Sequence, residues 1–115
     1  MAHTHFDISL WEKKLCRERE KQEALRHEML RRARTVLKNY FDDKKVSHVF
    51  ITGSLLHKNT FRQHSDIDVA VEGFQGDYFK IKSELEELLG RDVEIIELEK
   101  CRFANSIRER GERIL

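Results

Sequence analysis

One stretch constrains this chain more than any other. Residues 46–52 (Val-Ser-His-Val-Phe-Ile-Thr) read as a strand that runs into Gly53-Ser54. Eleven residues then separate Ser54 from Asp66, where a second strand opens as Asp66-Ile67-Asp68-Val69-Ala70-Val71. Side chains alternate across a strand, so Ile67, Val69 and Val71 share one face and read as core, while Asp66 and Asp68 leave the other at the strand's N-terminal end. Two carboxylates side by side repel unless a cation lies between them. A glycine beside a serine lets the backbone approach a phosphate closely. Asp-x-Asp by itself more often caps a turn or lies on a solvated face. Strand-Gly-Ser within reach of one helical turn and a loop shifts the balance toward a site for a metal-bound nucleoside triphosphate.

Helical patterns surround these strands. Residues 7–41 read as helix, with Asp7 or Ser9 as candidate caps. Ile8, Trp11, Leu15 and Cys16 form one apolar stripe; Leu25, Met29, Ala33, Val36, Leu37, Tyr40 and Phe41 form another. Between them Arg17-Glu18-Arg19-Glu20-Lys21-Gln22-Glu23 has no apolar residue and suits exposed i,i+4 pairs. The spacing therefore divides the chain into an N-terminal helical extension, residues 1–21, and a domain over residues 22–115. Asp42-Asp43-Lys44-Lys45 is a turn. Residues 77–89 form an amphipathic helix stopped by Gly90. Residues 93–98 form a third strand, and Phe103, Ile107 and the arginine-rich stretch 108–113 a last helix. The order α-β-α-β-α-β-α predicts a three-stranded sheet with helices packed on it and a long N-terminal helix.

A chain of 115 residues is one domain. Its net charge of +1 argues against bulk attraction to nucleic acid, so no direct nucleic-acid partner is expected. Cys16 and Cys101 lack metal-type spacing and read as reduced thiols; nothing beside Cys101 marks a nucleophile. There is no apolar run near 18 residues and no signal-type segment, so a soluble, cytoplasmic protein without membrane contact is expected. His3 and His5 fall in what reads as a frayed terminus. His27 reads as a helix-surface residue and His48 as a strand residue. Arg102, Arg108, Arg110 and Arg113, interleaved with Glu109 and Glu112, read as a solvated helix face.

Gly53-Ser54 followed by Ser65-Asp66-Ile67-Asp68-Val69-Ala70-Val71 resembles the minimal nucleotidyltransferases of the DNA polymerase β superfamily. In pattern it is similar to the small antitoxin-type members that partner HEPN-domain proteins. The resemblance runs from about residue 24 to residue 115 and implies an α/β (α+β) polymerase β-like fold with a mixed sheet. It implies that Gly53 and Ser54, with Ser65, bind the nucleotide phosphates and that Asp66 and Asp68 hold divalent metal. The family's third carboxylate, on the last strand, falls on Glu94, a glutamate where an aspartate is usual. Asp92 shares the parity of Glu94; Glu97 does not. The loop between Ser54 and Asp66 is one residue longer than is common in relatives. Its His57, Lys58, Arg62 and His64 either touch triphosphate or form a solvated basic loop.

Such a site would carry nucleotidyl transfer, in which an acceptor attacks the α-phosphorus and expels pyrophosphate. Two Mg²⁺ ions suit oxygen ligands of this kind. Positioning and charge stabilisation dominate the protein's share. Asp66, Asp68 and Glu94 are thus the expected catalytic and metal residues, and ATP the expected substrate. The resemblance points to AMP transfer onto a hydroxyl, a tyrosine, of a HEPN toxin, with this chain as antitoxin. Larger relatives carry a helical domain that helps bind the acceptor, so here the acceptor surface is expected from another chain. The N-terminal helix with Trp11 is the docking element for that partner or for a homodimer mate. Two alternatives stand beside this reading: a non-catalytic antitoxin that neutralises its partner by occlusion, and an aminoglycoside-type small-molecule nucleotidyltransferase that needs a second subunit.

Overall fold

The computed structural model describes residues 8–62 and 64–115. Helix α1 runs unbroken over Ile8–Phe41, with no glycine or proline to interrupt it. At 34 residues it is about 50 Å long. Its buried residues, Arg26, Met29, Leu30, Ala33, Leu37 and Phe41, begin only in its second half and fall at three- and four-residue steps. Before them the side chains are mostly exposed, Trp11 to 52%. Ser9 lies inside the helix, while Asp7, His3 and His5 lie outside the described residues.

Strand β1 (His48–Thr52) leads into a short 3₁₀ turn over Gly53–Leu56. β2 (Ile67–Glu72) returns antiparallel to β1, and β3 (Val93–Glu97) joins β2 in parallel. The β2–β3 crossover carries helix α2 (Tyr78–Leu89). The Asp77 side chain caps α2 by accepting the N–H groups of Phe79 and Lys80. Gly90 ends α2 at φ 66°, in the left-handed region, and returns its N–H to the Glu86 carbonyl at 2.8 Å.

The C-terminal segment corrects two expectations. The last helix, α3, spans Ala104–Arg110 and does not continue to Arg113. The chain turns at Gly111, and Glu112–Arg113 form a fourth strand, β4, antiparallel to β1. The sheet is therefore four-stranded and mixed, in the order β3-β2-β1-β4. Two residues of pairing carry no periodicity that a sequence could display. The physical reason for the pairing is the open edge of β1, whose Val49 N–H and carbonyl bond to the backbone of Leu115 and Ile114. Arg34 on α1 reinforces it with a two-point bridge to Glu112, 2.6 Å in each contact.

Most of the core lies on one face of the sheet. Val49, Ile51, Ile67, Val69, Val71 and Val93 pack there with the buried side chains of α1 and with Ile81, Leu85 and Leu89 of α2. The opposite face holds a smaller cluster of Phe50, Ala70 and Leu98, with Ile96, Ala104 and Ile107 against it. α3 thus covers only part of that second face. Among the described residues no helix is long and apolar enough to cross a membrane.

Candidate active site

The register of the sheet assembles the site on the second face. Asp68 of β2 lies opposite Thr52 on one side and Glu94 on the other. The next row on this face is Phe50, Ala70 and Ile96, which belongs to the small apolar cluster. Asp68 therefore stands beyond the apolar cluster, at the end where β1 passes into Gly53.

The joint between Gly53 and Asp68 is the tightest feature of the site. Gly53 has φ 81°, which favours glycine, and a Cβ built there would overlap the Asp68 carboxylate oxygen Oδ2. The missing side chain is what lets this carboxylate lie against the backbone of the turn. Half-burial raises the Asp68 carboxyl to about 6; the charge of Glu94, a hydrogen bond with it, and the charge of Asp66 push the same way. Glu94 lies beside Asp68 across the β2–β3 pairing, and its charge adds to what holds the Asp68 carboxyl up.

Asp66 immediately precedes β2, exposed and close enough to Asp68 to act on its charge. Glu94 is exposed on β3 beside Asp68. Asp92, its rival of the same parity, sits one step back, and its carbonyl accepts the Ile67 N–H at 3.0 Å. With Asp66, His64, Ser65, Gly90 and Arg91, Asp92 lines an open cleft of about 250 Å³. Glu97 turns away from Asp68: it hydrogen-bonds Tyr78 and pairs with Lys100. The Ser54 carbonyl accepts from the His57 N–H at 3.1 Å and the Thr60 hydroxyl at 2.9 Å. The Ser65 hydroxyl accepts the Arg62 N–H at 2.8 Å, so it closes the loop. His57, Lys58 and His64 are exposed, and Arg62 bonds the Asn59 carbonyl at 2.7 Å.

Three residues that serve this loop are not singled out by the sequence pattern. Glu23 and Arg26 hold its first half to α1. Arg91, stacked over the Phe61 ring at 4.6 Å, donates to the carbonyls of Arg62 and Ser65. Glu23 was legible only as part of an exposed charge run; its i,i+3 spacing to Arg26 is the one hint available.

The donor set fits a hard divalent cation. It is made of carboxylate oxygens, it is charged on one face of a rigid sheet, and it holds a raised proton affinity where a cation would relieve the repulsion. Among the described residues no three His, Cys, Asp or Glu side chains come together as a group that could hold a metal ion, so Asp66, Asp68 and Glu94 do not form a three-ligand set.

Comparison with known proteins bears on the fold and on the family. Three solved structures share its fold. One is a mutant of the toxin–antitoxin MntA–HpeT carrying two aspartate-to-glutamate replacements, at 17% identity and TM-score 0.58, with 71% of each chain covered. A second is a toxin–antitoxin with AMP-PNP, at 19% identity and TM-score 0.56, covering 73% of this chain and 72% of that one. A third is the toxin–antitoxin MntA–HepT, at 17% identity and TM-score 0.50, covering 75% and 70%. No curated protein matches the chain. The model of the family described as polymerase beta, nucleotidyltransferase matches residues 35–115, from the second half of α1 through every strand to the end. This chain therefore belongs to the polymerase β nucleotidyltransferase family.

Proposed function

We propose that this protein is a metal-dependent nucleotidyltransferase that transfers AMP from ATP to a hydroxyl, a tyrosine, of a HEPN-type toxin and so acts as its antitoxin. The observation that carries the reading is the Asp68 carboxylate lodged against Gly53 with Glu94 beside it. This arrangement brings the phosphate-approachable turn and the acidic row to one spot.

Asp66 and Asp68 would hold Mg²⁺, with Glu94 as third ligand or base. When bound, the ion supplies charge neutralisation at the phosphates and activation of the attacking oxygen. The residues of the chain do the rest. The Gly53-Ser54 backbone receives the terminal phosphates at close approach. Glu94, exposed on the edge strand β3, would take the proton of the acceptor hydroxyl as its oxygen attacks the α-phosphorus and pyrophosphate leaves. β1, β2 and β3 fix the carboxylates before substrate arrives, so little reorganisation is needed.

The toxin partner is supported by the shared fold with chains solved in toxin–antitoxin complexes. The outer half of α1, residues 8–21, is proposed as its docking element, because it leaves the domain as continuous helix with little buried surface. The occlusion reading has two sequence features in its favour: a glutamate where an aspartate is usual for the third carboxylate, and a loop between Ser54 and Asp66 one residue longer than is common in relatives. Label transfer separates the two. With α-³²P-ATP, Mg²⁺ and source-cell lysate, one labelled protein band is expected, absent when Asp66 and Asp68 are both changed to Asn. No label in a sample where the partner is bound would favour occlusion.

A further inference from the structure

Arg26 is the only buried polar or charged residue among those described, 8% exposed. Its guanidinium donates to Glu23 through Nη2 at 2.9 Å and Nε at 3.2 Å, and through Nη1 to the Leu55 carbonyl at 3.2 Å. Leu55 is in the turn that begins at Gly53. Glu23 in turn accepts the Asn59 N–H at 2.7 Å, and Asn59 sits at φ 65°, the one described non-glycine residue in the left-handed region. A residue held there costs free energy and persists because its surroundings fix it. One ion pair on α1 therefore grips the loop at two points, four residues apart. The pull of Arg26 and of Asn59 draws the Glu23 carboxyl down to about 2. The Ser54 carbonyl is taken as well, by His57 and Thr60. A peptide is planar, so each tied carbonyl also fixes the direction of the following N–H. The carbonyls of Ser54 and Leu55 thus set the amides of Leu55 and Leu56.

We propose that Arg26, with Glu23, is a positioning pair that holds the Gly53-Ser54 turn in the geometry that receives nucleotide phosphates, and so sets affinity for the nucleotide more than the rate of the chemical step. This rests on the nucleotidyl-transfer reading. The pair's contacts with the loop fall on backbone, at the Leu55 carbonyl and the Asn59 N–H. Lysine cannot replace Arg26, because one ammonium cannot span a carboxylate and a carbonyl with the same fork geometry. At the other end of the loop Arg91 makes the matching capture of the Arg62 and Ser65 carbonyls.

The test uses Glu23→Ala and Glu23→Gln in the full chain; Glu23 is the outer, partly exposed member of the pair, so both variants are expected to fold. Two quantities are read. The first is amide exchange over residues 54–60 in nucleotide-free protein. The second is the split between KM for ATP and kcat in label transfer. Glu23→Ala is expected to speed exchange at 54–60 but not in β2 or α2, and to raise KM about ten-fold with kcat within about three-fold. Glu23→Gln, which keeps an acceptor for Asn59, is expected to recover most of both. Unchanged exchange, or faster exchange with unchanged KM, or a loss confined to kcat, overturns the proposal. If the wild type shows no saturable nucleotide binding, the nucleotidyl-transfer reading falls and takes this one with it. The exchange measurement, made without nucleotide, then still reports separately on whether the tether is formed.

Discussion

The two faces of the sheet are built from the same three long strands and are nothing alike. Ile67, Val69 and Val71 face α1 and α2 in a closed apolar layer. One residue out of phase, Asp68, Ala70 and Glu72 face a side where α3 packs on a small apolar cluster of Phe50, Ala70, Leu98 and Ile96. Glu72 at one end is satisfied by Arg108 of α3, which holds its carboxyl low. Asp68 at the other end is half-buried with like charges around it, and its carboxyl is held high. The comparison teaches how a small domain divides its labour. One face contributes the free energy of folding. The other tolerates an unrelieved electrostatic cost at the spot where a cation and a phosphate would relieve it.

Substitutions on the two faces should therefore separate activity from stability. The largest effect is expected from Asp68→Asn, which should lower transfer roughly a thousand-fold or more, about 4 kcal/mol in the barrier, as read by label incorporation. Next, Leu37→Ala removes a fully buried side chain from the closed face. It should cost about 3 kcal/mol in denaturant unfolding and leave KM for ATP unchanged.

A smaller effect sharpens the contrast because its sign is opposite. The Asp68 carboxyl titrates near 6 in the folded chain against an ordinary 3.8. The folded state thus holds the proton more tightly, and metal-free stability should fall as pH rises between those values. At pH 7.5 with chelator, Asp68→Asn should stabilise the chain, by about 1 kcal/mol after allowance for solvent screening. The same substitution would then destroy activity and raise Tm. Smaller still is the acid response of Glu23, held near 2 against an ordinary 4.5. Its contribution is complete above the ordinary value and is lost as pH falls toward 2. Wild type and Glu23→Ala should differ in Tm at pH 6 and converge between pH 4 and pH 2.

Much of this contrast could be read from residues alone. Strict alternation in Asp66-Ile67-Asp68-Val69 assigns the two faces without a structure. Gly53-Ser54 marks the turn, and Gly90 the end of α2. Parity also separates Glu94 from Glu97, which the structure places with Tyr78 and Lys100. Two kinds of feature stayed hidden. β4 is two residues of edge pairing after Gly111, too short for any period to show, so the Arg-rich stretch looked helical throughout. The Glu23–Arg26 and Arg91 tethers join a side chain to backbone 26 to 36 residues away. A backbone carbonyl is the same at every position, so no residue type records that it will be captured.

The claim at the centre of this account is that the open face at Asp68 binds metal and nucleotide together. Calorimetric titration of ATP into wild type and Asp68→Asn, each with Mg²⁺ and with chelator, tests it most directly. Saturable binding by the wild type only with Mg²⁺, lost in Asp68→Asn, is the expected result. Equal ATP binding by both proteins, or binding indifferent to Mg²⁺, would contradict it.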